Sequence, residues 1–190
     1  MNRTLPKEVE IVPSEKSLSH RADQLGELIA KQEILEVNYR YARGLDRMDR
    51  ELTSAVFHPG ATVDYGQFYE GTATGFVDWV FDVHAGFWRH AHQVHNLLVE
   101  FEDRQRAVSE AYYTVTLRRR VKTGSVSDQV WRCRYFDRLS LQGTGWGIDS
   151  RTCYSEIGMA AEYDLPPDLD GSSFPARRDR DDASYRYLSG

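Results

Sequence analysis

The sequence predicts an α+β fold, with N-terminal helices packed on a strongly curved antiparallel sheet. Three observations carry this. Up to about residue 85, apart from a short hairpin around Gly66, the apolar residues recur at helical spacing; from about residue 92 the period changes to two and runs through four long segments; and those segments are joined by short, hairpin-like links. Helices first and a long meander afterwards define the α+β class, and a curved sheet wrapped on helices leaves a cavity between the layers.

The chain has 190 residues, 41% of them hydrophobic, which suits one compact domain with a real core. Residues 1–20 are polar, carry two prolines and read as an N-terminal arm. Residues 21–163 form the domain. Residues 164–190 are rich in Asp, Arg, Pro and Gly, a composition that buries little surface and reads as a disordered tail. Within it, Phe174, Tyr185 and Tyr187 are able to pin parts of the tail to the body or to a neighbouring subunit.

The first helix is expected to carry Leu25, Leu28, Ile29, Leu35 and Tyr39 on its apolar side, with Arg43 in its last turn and Gly44 as its C′ stop. Asp49 suits the N-cap of a short second helix bearing Leu52, Ala55 and Val56, which His58-Pro59-Gly60 should break. Ala61–Tyr65 and Gln67–Tyr69 read as a hairpin around Gly66. Thr74 is a candidate cap for a third helix holding Phe76, Trp79, Val80 and Val83. The strands are His92–Phe101, Ala107–Val121, Val126–Leu141 and Trp146–Ser155.

Bulk properties exclude several classes. A net charge of −5 suggests no basic face for nucleic acid, and Arg118-Arg119-Arg120 reads as a solvated strand end. No apolar stretch is long enough for a signal peptide or a membrane span, and two cysteines without a CxxC pair suit a cytoplasmic protein with reduced thiols. No phosphate-binding loop, dinucleotide fingerprint or nucleophile elbow occurs. The aromatic content, 4 Trp, 11 Tyr and 8 Phe, suits a large core or a pocket for a hydrophobic, ring-containing small molecule.

Two constellations bear chemistry. In RHAHQVHN, strand alternation places His92, Val94, Asn96 and Leu98 on one face. Polar His92 and Asn96 among apolar neighbours suit a pocket wall; on the strand alone, a hydrogen-bonded structural histidine is the simpler account. His90 and His92 also form an HxH pair, but the later strands offer only scattered acids such as Glu110 and Asp137, so no metal is expected. The second constellation is YARGLDRMD, residues 41–49. Asp46 lies near a helix C-terminus, the unfavourable end of the dipole for a carboxylate, and needs a partner such as a histidine.

With YARGLDRMD, FHPGATVDY, HAHQVHNLLVEFEDRQRAVSEAYY and RYFDRLSLQGTGWGIDSR in that order, residues 22–157 resemble the SnoaL-like branch of the nuclear-transport-factor-2-like superfamily. The resemblance implies a cone-shaped α+β barrel and a homotrimer or homodimer. It further implies a cofactor-independent chemistry like that of scytalone dehydratase, bile-acid 7α-dehydratase and hexachlorocyclohexane dehydrochlorinase. Asp46 is similar to the pocket aspartate of these lyases and His92, with Asn96 following, to their general base. Tyr41 and Tyr65 are similar to their tyrosine acid and carbonyl-positioning group. The strand 107–121 has no match for the second histidine of scytalone dehydratase. The implied function is a lyase eliminating a small group from a ring-containing substrate. The alternatives are an isomerase or polyketide-cyclase-type enzyme with the same pair, or a non-catalytic subunit like a ring-hydroxylating dioxygenase β subunit.

Overall fold

The computed structural model describes residues 15–122, 124–143, 145–165 and 176–188. The proposed arm up to residue 14 and Phe174 of the tail lie outside the described residues. The elements are α1 (Glu15–Asp46), α2 (Arg50–Ser54), β1 (Phe57–Asp64), β2 (Glu70–Thr72), α3 (Ala73–Ala85), β3 (Arg89–Phe101), β4 (Arg106–Lys122), β5 (Ser125–Gln142), β6 (Gly145–Asp164) and α4 (Ser184–Tyr187). The strands form one open sheet in the order β2-β1-β6-β5-β4-β3. All pairings are antiparallel except β1 with β6, which is parallel. The helices cover one face of this curved sheet, giving the expected cone-like α+β architecture, and none among the described residues is long and apolar enough to cross a membrane.

α1 is longer than expected and buries a different side. It spans 32 residues, about 48 Å at 1.5 Å per residue. Only its C-terminal half packs into the cone, through Ile34, Val37, Asn38, Tyr41, Ala42 and Leu45. Leu25, Leu28, Ile29 and Tyr39, expected on the core side, are exposed. A helix longer than the sheet it crosses carries apolar residues beyond the core, and periodicity alone does not say which stripe is covered.

Gly44 does not stop α1. The Met48 N–H donates to Leu45 O at 3.0 Å and the Asp49 N–H to Gly44 O at 2.8 Å, with Met48 at φ +50°. This is a Schellman closure with Met48 at C′, where glycine is usual. Gly44 serves close packing instead, since a Cβ there would meet Thr53 Oγ1 at 2.4 Å and Thr53 N at 2.8 Å. Asp49 ends one helix and caps the next, accepting from the Leu52 N–H at 3.1 Å as expected.

Three further expectations are corrected. His58-Pro59-Gly60 lies inside β1, where Gly60 at φ +83° accompanies a register shift against β6. The hairpin at Gly66 closes with β2 at residues 70–72 rather than 67–69. Thr72, not Thr74, caps α3 by accepting from the Gly75 N–H. The tail is also not wholly free of structure. Residues 176–188 lie on the ends of α1 and α3, where Tyr185 Oη donates to Asp49 at 2.7 Å, whereas Tyr187 is exposed.

Candidate active site

Asp46 ends α1 and His92 lies early in β3, and the fold brings them into contact. Asp46 Oδ1 accepts from the His92 ring at Nδ1, 2.7 Å, and both carboxylate oxygens accept the His92 main-chain N–H at 3.0 Å. His90 Nδ1 lies 3.3 Å from the same oxygen. A carboxylate at the negative end of a helix dipole is thereby compensated by donors from the sheet. Burial pushes the Asp46 carboxyl up, but the hydrogen bonds from His90 and His92 outweigh it and hold it at about 2. The carboxylate is therefore ionised and accepts, so the His92 ring donates from Nδ1 and Nε2 is the ring nitrogen that Asp46 leaves unengaged. Among the described residues, Nε2 has no hydrogen-bond partner.

His84, unnoticed in the sequence, completes a cluster. It ends the stripe Val77, Val80, Phe81 of α3 and stacks at 4.6 Å on His90 and 5.4 Å on His92. Burial drives its imidazole down to about 2, reinforced by His92, His90 and Arg178. Burial also lowers His90, against the pull of Asp46. Arg178, from the segment read as disordered, donates to the main-chain oxygens of His84, at 2.7 Å, and Phe87. The nearest ligand atoms of Asp46, His90 and His92 all lie within 4.8 Å of one another, a set that can hold a divalent cation. The expectation of no metal rested on missing ligands, and Asp46 supplies the third.

The alternation inferred for β3 holds only to Val94. A register shift between Val94 and Leu97 inserts a residue, so Asn96 and Leu98 turn outward and Leu97, Val99 and Phe101 turn inward. Asn96 therefore does not share the face of His92 and Val94. A groove of about 340 Å³ reaches Asp46 and His92, lined also by Tyr39, Ala42, Arg43, Arg47 and Val94.

Tyr41 and Tyr65 meet each other inside the cone, with hydroxyls 2.8 Å apart, and are not among the groove residues. Burial raises Tyr41 to about 12 and Tyr65 well above its ordinary value, so both remain protonated donors. Tyr41 also lies edge-on to Tyr113 and Tyr135. Over it, at 4.3 Å, sits Arg151, fully buried and bidentate to Asp137 with both contacts at 2.7 Å. In the sequence Asp137 is only one of several scattered acids. Its partner six positions into the last strand gave no signal, because a buried pair is indistinguishable in sequence from two surface charges.

Residues 26–152 match the SnoaL-like domain model, two thirds of the chain. The chain belongs to the SnoaL-like family. Comparison with curated protein sequences finds no match. Solved structures share the SnoaL-like fold at low identity. A provisionally assigned scytalone dehydratase from Novosphingobium aromaticivorans is 17% identical, with 79% of this chain and 99% of that one covered and a TM-score of 0.64. A type 2 hexachlorocyclohexane dehydrochlorinase is 13% identical, with 77% and 99% covered and a TM-score of 0.67. A provisionally assigned aromatic ring hydroxylase from N. aromaticivorans is 21% identical, with 72% and 94% covered and a TM-score of 0.60.

Proposed function

We propose that this SnoaL-like protein is a cofactor-independent lyase that eliminates a small group from a hydrophobic, ring-containing molecule, with His92 as general base and Asp46 as its partner. The observation that carries the reading is the 2.7 Å contact between His92 Nδ1 and Asp46 beside an open groove. It leaves Nε2 as the proton acceptor and places a carboxylate where the imidazolium forms. General-base help of this kind is worth on the order of 10²–10⁴-fold. Val94 supplies an apolar wall to the groove. Tyr41 and Tyr65, expected as the acid and the carbonyl-positioning group, bond to each other inside the cone and do not line the groove, so the step assigns them no proton transfer. The dehydratase and dehydrochlorinase names of structural neighbours support elimination over other proton-transfer chemistry.

The test is a screen of ring-bearing alcohols and halides, followed by kcat for the wild type, His92→Gln, Asp46→Asn and the double variant. Each single change should lower kcat by about 10²–10⁴-fold, and the double change should cost little more, because the two act as one unit. Activity should survive dialysis against EDTA. Near-wild-type kcat in His92→Gln, or chelator-sensitive activity with stoichiometric bound metal, would refute the assignment.

A further inference from the structure

The groove beside Asp46 and His92 has walls of two kinds. Ala42, Val94 and the Tyr39 ring are apolar, while Arg43 lies in the last turn of α1 and Arg47 just past its end. Neither arginine side chain finds a polar partner on the helices or the sheet of the cone among the described residues. Arg43 donates to Ser184 Oγ at 3.1 Å and stacks 4.6 Å over Tyr185. Arg47 has Asp182 at 3.3 Å, but the contact lacks hydrogen-bond geometry and leaves Arg47 Nε buried without an acceptor. A buried donor left without an acceptor is costly, so this guanidinium is poised for a better one.

Asp182 is not that acceptor. Its oxygens are taken first by its own segment, from the main-chain N–H groups of Ser184 and Arg177 at 3.0 Å. It leans on Arg47 second. A planar guanidinium matches a free carboxylate with two parallel hydrogen bonds, which a carboxylate tethered elsewhere does not offer. A volume of about 340 Å³ lies at the lower end of the range for small-molecule sites and suits one ring.

Building on the reading of Asp46 and His92 as an acid–base pair, we propose that Arg47 is the anion-binding residue of this site. The substrate class is then a single-ring carboxylate, whose carboxylate displaces Asp182 from Arg47. Asp182 of the C-terminal segment is then a built-in competitor for Arg47.

Benzoate and its neutral isostere benzamide, titrated into the full chain and followed by the NMR signals of Arg47 Nε–H and the amides of residues 39–47 and 92–94, test this. Benzoate should bind at least tenfold more tightly than benzamide. Arg47→Gln should abolish that preference and Arg47→Lys retain part of it. Asp182→Asn should tighten benzoate several-fold, an effect that a purely structural Arg47–Asp182 pair would not produce. Equal binding of the two probes, no perturbation by benzoate, or weaker benzoate binding in Asp182→Asn would overturn the proposal. His92→Gln should keep the benzoate preference, so failure of the base assignment in the turnover test leaves the anion site standing, and the reverse.

Discussion

Asp46 takes the main-chain N–H of His92 on both carboxylate oxygens, at 3.0 Å each, as well as the His92 ring at 2.7 Å. The first contacts fix the carboxylate against β3; the last fixes the imidazole against the carboxylate. Neither residue needs the other for its secondary structure, so the pair is a product of tertiary packing between the end of α1 and the start of β3.

Acid should destabilise the protein in two steps. Burial holds the His84 imidazole neutral down to about 2, against 6.5 for an exposed histidine, so the unfolded chain binds a proton that the folded one refuses. Stability contributed by this group is complete above pH 6.5 and falls below it by about 1.4 kcal/mol per pH unit. Asp46, held at about 2 against 3.8, adds a further loss between those values. Urea midpoints from pH 7 to 4.5 should fall in the wild type and fall distinctly less in His84→Leu, which also removes an unpaired buried Nδ1. Parallel slopes in the two proteins would remove His84 from the account.

The joint between α1 and α2 makes paired predictions of opposite sign. Gly44→Ala should destabilise by about 2 kcal/mol, since overpacking against the Thr53 backbone typically costs 1–3. Met48→Gly should stabilise by about 1 kcal/mol by relieving a left-handed non-glycine residue. Thermal denaturation of the two variants checks both.

The outer face of the sheet carries exposed Leu98, Tyr112, Phe136 and Tyr154 on neighbouring strands. Such a patch suits contact with a second copy. Light scattering should report a dimer or trimer, and Tyr154→Lys should weaken it. A wild-type monomer at 21.9 kDa would rule out self-association.

Much of this was legible in the sequence because strands write their period plainly. The meander, the Asp49 cap and the need of Asp46 for a partner all followed from local rules. The parts that were not legible share a cause: each depends on what lies across from a residue. The buried stripe of α1 is chosen by where the sheet ends. Met48 gives no signal at C′, where glycine is the usual sign. One inserted residue near Asn96 reverses the faces of β3, and alternation cannot register it. His84 was findable, as a polar residue in the stripe of Val77, Val80 and Phe81. Arg178 was not, because composition averaged over a charged tail hides one side chain that reaches His84.

The central claim is that Asp46 orients His92 so that Nε2 is the free base, and the ring tautomer tests it most directly. In ¹⁵N-labelled protein at pH 8, long-range ¹H–¹⁵N spectra should show His92 protonated at Nδ1 with a bare Nε2, and Asp46→Asn should lose that preference. A His92 ring protonated at Nε2 in the wild type would have no lone pair for the groove and would contradict the account.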